Sequence, residues 1–527
     1  MKTIRELELG FSDAQNYAQR AYKDMFNRVF VRNSYLDEIV AQKTFFIVGE
    51  KGTGKTAYAT YLNNNTYLNN KSILKFIYAT DYEKFYTLKT QKHLGVTDYN
   101  EIWKVILCLL LCTSVAEDDK VISFMSKSGL DDLLSAIDEY YMHAFSPEIM
   151  SVLNMIEESE IAAKIMCKYM EVGASDTNKR EFSETRLQIN LYYIRKQFVD
   201  TIAKLKLNKN INLLIDGIDI RPERMPFEDY IECIRGLANA CWSLNTELFQ
   251  NIRDTKGRFR VILLLRPDIF KSLNLQNATN KLLDNSVYLD WRTTYIEYKH
   301  SLLYKISCKL LSYNQTENMQ IEEYWNQYFT WQLQTTSLYR SYDTAFMSFL
   351  KISLSRPRDI LVILSILREK MIEHGMGDSY EFSSDIYKSD SFQNAYSEYF
   401  LSSLSDQLSF YYSDVDFRNF TKFFDYFDKS EFTYKQYNDN YYKYIDYLLE
   451  NAKELPKFVE TPKEFLQLLY DCNVIAAIEK DVNCNPYIHF SYRERSKTDI
   501  APEVLYEPRI EYRFHYGLYK KAKFGRF

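Results

Sequence analysis

The sequence predicts an α/β protein with a parallel sheet covered by helices on both faces, and three observations carry that prediction. Five apolar runs read as strands: TFFIV at 44–48, SILKFIYA from Ser72 to Ala79, NINLLID from Asn210 to Asp216, FRVILLL from Phe259 to Leu265, and SVYLDW from Ser286 to Trp291. Helical periodicity fills the segments between them, and strands that alternate with helices make a parallel, doubly covered sheet. The first run leads straight into a glycine-rich loop and then a helix-forming stretch, AYATYLNN.

Composition bounds what such a protein can be. A chain of 527 residues has room for two to four domains. With 46% hydrophobic residues, 45 Tyr and 34 Phe, it has the composition of a globular protein and excludes a disordered one. A formal net charge of −5 gives no global attraction to nucleic acid or anionic lipid. The eight cysteines form no CxxC pair, and the six histidines do not cluster with them, so neither a zinc site nor a disulfide framework is expected. The first residues lack the apolar core of a signal peptide. The longest apolar run, Val105–Cys112, is less than half of a bilayer span. A soluble, cytoplasmic protein with no membrane contact is the expectation.

Taken in order, residues 12–42 read as a helix capped by Ser12 or Asp13, followed by a shorter helical or loop segment. Strand, loop and helix then follow at 44–64, and SILKFIYA is a second buried strand. The stretch from about Tyr82 to Leu207 is mostly helical, as in EIWKVILCLLL and TRLQINLYYIRKQFVDTIAKL, and reads as an insertion at about 83–207. The remaining strands complete a core over residues 1–292. Residues 293–409 are helical and read as a lid. Residues 410–527 are tyrosine-rich: DFRNFTKFFDYF and TPKEFLQLLYDC read as helices, and VIAAIEKDVNCNPYIHFSYRE as two strands around a turn at Asn483–Pro486. Helices followed by a two-stranded ribbon suggest a winged-helix-like domain.

The loop GEKGTGKT, Gly49–Thr56, carries the chemistry. Gly49, Gly52 and Gly54 allow backbone angles that let successive amide hydrogens point at phosphate oxygens. Glu50, Lys51 and Thr53 complete the loop, and the helix that begins near Lys55 adds its positive dipole end. Lys55 reaches the β- and γ-phosphates of a nucleotide, and Thr56 offers a hydroxyl to Mg2+. The bland alternative, a chance glycine turn, does not require the full eight-residue pattern between strand and helix. The metal's second partner should be an acid at a neighbouring strand end, and Asp216 in LLIDGIDIRP holds that place.

Three further residues are candidates with open alternatives. Many P-loop ATPases of the additional-strand type carry a water-polarising acid directly after this aspartate, but Gly217 stands there; Asp219 either curls back to act as the base or caps the next helix. In LLLRPDIF, the strand lies between the loop strand and the strand of Asp216 in an additional-strand sheet. Arg266 would then read the γ-phosphate, bind Asp216 or Asp219, or face a neighbouring subunit. In SRPRDI, Pro357 opens a helix, and Arg358 is either a cation supplied to the nucleotide by the lid or an ordinary surface arginine.

Together GFSDAQNYA, GEKGTGKTA, LLIDGID, LLLRPDIF, VYLDW, RPRDI and FHYGLYKK resemble the Sll1717-type P-loop ATPases, a group akin to AAA+ and STAND ATPases that occurs among bacterial defence and mobile-element genes. The resemblance runs from N- to C-terminus. It implies a three-layer P-loop NTPase core of the additional-strand, AAA+-like type with a helical insertion, a helical lid and a C-terminal winged-helix-like domain. It also implies that Gly49–Thr56 and Asp216 bind ATP and Mg2+. No effector constellation is visible, so the expected activity is a nucleotide-dependent switch that self-associates as a homo-oligomer or docks a protein effector. The alternatives are a DNA-associated motor or loader and a scaffold that keeps its nucleotide with little turnover. For the motor, nucleic acid would meet the basic tail of Arg493, Arg495, Lys497, Arg509, Arg513, Lys520, Lys521, Lys523 and Arg526.

Overall fold

The computed structural model describes residues 1–79, 82–83, 86, 98–116, 195–196, 198–334, 342–451, 455–480, 486–507 and 509–524. Most of the helical insertion expected at 83–207, and the turn expected at Asn483–Pro486 apart from Pro486, lie outside the described residues. The chain forms two compact units. One comprises Asn33–Gly49 and Lys55–Tyr288; the other comprises Met1–Arg32, Glu50–Gly54 and Leu289–Phe527.

The first unit contains α1 (Ser34–Val40), β1 (Phe46–Val48), α2 (Lys55–Asn64), β2 (Asn70–Phe76), α3 (Asp98–Ala116), β3 (Asn210–Asp216), α4 (Phe227–Ser243), β4 (Phe259–Leu265), α5 (Pro267–Ser272), α6 (Ala278–Asn285) and β5 (Ser286–Tyr288). Its five strands form one parallel sheet in the order β2-β3-β4-β1-β5. β4 therefore lies between β1 and β3, as the sequence reading has it. The boundaries of β3 and β4 agree with their apolar runs. Those of β2 and β5 differ, for a reason of register. β2 pairs residue for residue with β3, Asn70 with Asn210 through Phe76 with Asp216, and ends where β3 ends. β5 pairs only with the three residues of β1, so SVYLDW stops being strand at Tyr288.

All residues of β4 are buried, as are all but the first of β3. That explains why these runs are largely apolar instead of alternating; the buried exceptions, Asn212 of β3 and Arg260 of β4, satisfy each other, the guanidinium donating to Asn212 Oδ1. The run Val105–Cys112 lies buried in α3. α3 packs closely on α4: a Cβ at Gly236 would lie 2.6 Å from the Tyr99 Cβ, and the Trp103 indole donates to Cys233 O at 3.1 Å. Among the described residues, no helix is long and apolar enough to cross a membrane.

The second unit begins with a 3-10 turn at Ile4–Glu6, then a second at Ala14–Ala18, capped by Asp13, whose side chain accepts from Gln15 N, and a short helix at Lys23–Val29. The Ala14–Ala18 turn and this short helix stand where one longer helix was expected. Helices α7 (Leu302–Ser312), α8 (Ile321–Tyr328), α9 (Ala345–Ile352), α10 (Pro357–Glu373) and α11 (Asp390–Leu408) follow, with a small ribbon of β6 (Gln332–Gln334) and β7 (Tyr342–Thr344). The C-terminal part holds β8 (Glu431–Thr433), α12 (Tyr434–Asn451), α13 (Pro462–Asp471), β9 (Ile475–Lys480), β10 (Pro486–His489) and β11 (Glu511–Phe514). The expected ribbon β9–β10 is antiparallel and belongs to a wider sheet in the order β10-β9-β11-β8. The tyrosines serve its core. Tyr437 and Tyr444 of α12 are fully buried against Phe423, and Phe465 of α13 packs against Phe423 and Tyr444. Their hydroxyls reach the carbonyls of Pro462 and Asn419.

Candidate functional site

In the first unit, β1 ends at Val48, and α2 starts at Lys55. Lys55 is buried at the helix N-terminus, where its Nζ donates to Gly49 O at 2.8 Å. The next residue, Thr56, donates its hydroxyl to Asp216 Oδ2 at 2.6 Å, across a sequence separation of 160 residues. The pairing of β3 within the sheet brings Asp216 to that point, and Gly217 N donates to its Oδ1 at 2.8 Å. Burial, and after it the charge of nearby Asp219, pushes the Asp216 carboxyl up from its ordinary value; Thr56, Lys55 and the Gly217 N–H oppose that rise. Asp216 and Asp219 are thus close enough to sense each other's charge.

Gly217 has a positive φ of 83°, and a Cβ there would lie 2.3 Å from Ile77 O. A side chain at this position is excluded by backbone from the end of β2. The local geometry therefore forbids an acid next to Asp216, which leaves Asp219 as the nearest carboxylate downstream. Arg266, at the end of β4, is 1% exposed, and its guanidinium forms a two-pronged pair with the carboxylate of Asp268, Nε to Oδ1 at 3.0 Å and Nη2 to Oδ2. The carboxylate that holds the Arg266 guanidinium here is thus the acid two residues on.

Two oxygen donors of the first unit, the Thr56 hydroxyl and the Asp216 carboxylate, converge in a largely buried setting with one ammonium nearby. This donor set suits Mg2+, which keeps several of its waters and takes only one or two protein oxygens beside phosphate. Among the described residues there is no cluster of three or more His, Cys, Asp or Glu able to cage a metal by itself.

The loop residues Glu50–Gly54 are described with the second unit, and their attachments there are dense. Gly52 and Gly54 both have φ near +89°. Arg356 Nη1 donates to Lys51 O at 2.8 Å, Arg358 N to Gly52 O at 3.4 Å, and the Trp291 indole to Thr53 O at 2.8 Å. The Glu50 carboxylate pairs with buried Arg495, whose other end donates to Asp471 O at 2.8 Å. Lys51 Nζ reaches Asp406 at 3.0 Å. A Cβ on Gly52 would press on the Arg358 Cβ at 3.2 Å, so this glycine allows the close approach as well as the turn.

Two arginines flank Pro357, and they have different roles. The Arg358 side chain turns to Ser12 O at 3.2 Å. Arg356 is the one held against the loop. Its partner Asp359 is fully buried and accepts from Arg356 Nε and Nη2, Leu354 N and Tyr399 Oη at 2.7–3.0 Å. Burial disfavours the Asp359 carboxylate, but the Arg356 cation and these hydrogen bonds outweigh it and hold the carboxyl below its ordinary value. Arg495 is pulled down by burial to about 10 and so remains a cation at neutral pH.

Sequence reading named Gly49–Thr56, Asp216, Asp219, Arg266 and Arg358 as candidates, but not the contacts that Arg356, Trp291 and Arg495 make with the loop. Arg356 lies within SRPRDI, and its signal was the aspartate three residues on. No local signal marks Trp291 or Arg495 as a partner of a loop hundreds of residues away. No protein-family model, curated protein or solved structure matches this chain.

Proposed function

We propose that this chain is an ATP-binding P-loop protein that works as a nucleotide-dependent switch, with Gly49–Thr56 holding the phosphates and Thr56 and Asp216 holding Mg2+. The observation that carries the reading is the hydrogen bond from Thr56 to Asp216. It joins the last residue of a strand–loop–helix phosphate motif to the acid that ends β3, one strand beyond the neighbour of β1, the pair that a magnesium nucleotide needs. The order β2-β3-β4-β1-β5 supports an additional-strand core, with β4 between the loop strand and the strand of Asp216. The sequence of α13 followed by β9 and β10 supports a winged-helix-like C-terminal domain.

Bound Mg2+ would neutralise charge on the phosphates. The chain's own part is to hold them: Lys55 supplies a cation, α2 its N-terminal dipole, and Asp216 a carboxylate that must be ionised to take the metal. Asp219 is the proposed base. Since Gly217 bars an acid from the adjoining position, turnover is expected to be slow, and this favours a switch, with a low-turnover scaffold as the second reading. A role among bacterial defence systems, with a separate effector partner, is the biological setting that the motifs suggest.

Calorimetric titration with ATP and Mg2+ tests the core of the proposal. Binding by the wild-type chain, lost in Lys55→Ala and weakened at least about tenfold in Asp216→Asn, is the expected result. No binding by the wild type refutes it. Measurable ATP hydrolysis that Asp219→Asn removes separates the switch from the scaffold.

A further inference from the structure

Three consecutive carbonyls of the loop, those of Lys51, Gly52 and Thr53, each accept a hydrogen bond from a different group of the second unit: the Arg356 guanidinium, the Arg358 backbone N–H and the Trp291 indole. In a trans peptide, the carbonyl of one residue and the N–H of the next point in opposite directions. Fixing the carbonyls of Lys51 and Thr53 therefore turns the amides of Gly52 and Gly54 to the other side of the loop. An anion cradle needs its amides on that one side. The fourth attachment is of another kind. Glu50 places a carboxylate inside a loop of anion-binding pattern, where it would repel a phosphate, and its pairing with the buried guanidinium of Arg495 both neutralises it and holds it in place.

We propose that Trp291, Arg356 and Arg495 are positioning residues for the phosphate cradle: Trp291 and Arg356 orient its amides through the carbonyls of Thr53 and Lys51, and Arg495 withdraws the Glu50 carboxylate from the anion. This inference rests on the reading of Gly49–Thr56 as a phosphate site. It adds that residues 235 or more positions downstream determine that site's affinity.

Two substitutions isolate the two effects. Trp291→Phe keeps an aromatic ring and removes the pyrrole portion that carries the N–H donor. Arg495→Met removes the cation, and adding Glu50→Gln removes the charge it neutralises. Each protein is titrated with ATP and Mg2+, and folding is checked by its thermal unfolding midpoint. Trp291→Phe should weaken binding about fivefold or more, and Arg495→Met about tenfold or more. The double variant Glu50→Gln/Arg495→Met should return to within about threefold of wild type, a rescue that a merely structural role for Arg495 would not produce. If Arg495→Met fails to fold, Trp291→Phe carries the test alone. Wild-type affinity in both folded single variants, or no rescue in the double variant, overturns the proposal while the nucleotide reading stands. Absence of binding in the wild type fails that reading instead, and this inference with it.

Discussion

His515 has no exposed surface, and its ring stacks on Phe400 with centroids 4.7 Å apart while its Nδ1 accepts from Gly517 N at 3.1 Å. Burial pulls its pKa down to about 3, whereas the unfolded chain titrates near ~6.5. Between those values the unfolded chain takes up a proton that the folded chain refuses. Its contribution to stability is therefore complete above ~6.5 and is lost as pH falls toward ~3, at up to about 1.4 kcal/mol per pH unit. Denaturant titrations across that range should show His515→Phe with a shallower decline than wild type; parallel curves would contradict the assignment. Residue identity alone was enough to single out the loop as a candidate, because glycine, lysine and threonine at this spacing behind a strand are what a phosphate cradle requires. It was not enough for SRPRDI. Either arginine beside Pro357 could have faced the loop, and the choice of Arg356 follows from a buried carboxylate, Asp359, that only Arg356 pairs with among these two.

At the scale of elements, β3 and β4 were legible to the residue because both are buried on two faces, and each apolar run ends at a charged side chain. Short strands were not legible in the same way. β1 spans three residues, and beyond its start the side of β4 that faces it would have no strand partner at Val261. Asn245, in the π-helical turn that continues α4, fills that role: its amide donates to Val261 O at 2.8 Å and accepts from Val261 N at 2.9 Å. Both groups are buried, so Asn245→Ala leaves the Val261 N–H without this partner and the Val261 carbonyl with only the weak Cys241 thiol donor at 3.4 Å. A loss of about 2–3 kcal/mol in denaturant unfolding, with unchanged slope, is expected. β8 and β11 escaped notice for a related reason. Three and four residues are too few for periodicity to speak, although Tyr512 and Phe514 of β11 do alternate inward.

At the scale of the whole chain, charge is the property that composition describes least well. The C-terminal tail is rich in cations, yet Lys520, Lys521 and Lys523 pair with Asp390, Glu398 and Asp425, and Arg513 pairs with Glu431. Arg493 lies over the rings of Tyr295 and Tyr492. Exposed pairs of this kind are weak, about 0–1 kcal/mol each, but among the described residues they leave no uniform basic face for a phosphate backbone. The proposed switch and the alternative DNA motor differ in whether this tail is engaged. The corresponding measurement is the molecular mass of the chain with ATP, with ADP and without nucleotide, alone and with an oligonucleotide. A mass that rises with ATP and is indifferent to the oligonucleotide is expected. A complex with the oligonucleotide that is lost on replacing Lys520, Lys521 and Lys523 by Gln would favour the motor.

The sequence by itself determined the parallel sheet, because strand burial imposes a local pattern that a short window reveals, and the same window singled out Gly49–Thr56 and Asp216 as candidates for the proposed phosphate and metal site. Tertiary structure alone decided that Gly217 cannot be an acid, since Ile77 O occupies the space. It also decided that Arg266 turns to Asp268 and that Trp291, Arg356 and Arg495 hold the loop. Those facts depend on which backbone and side-chain atoms meet across long stretches of chain, and no periodicity along the sequence records such meetings.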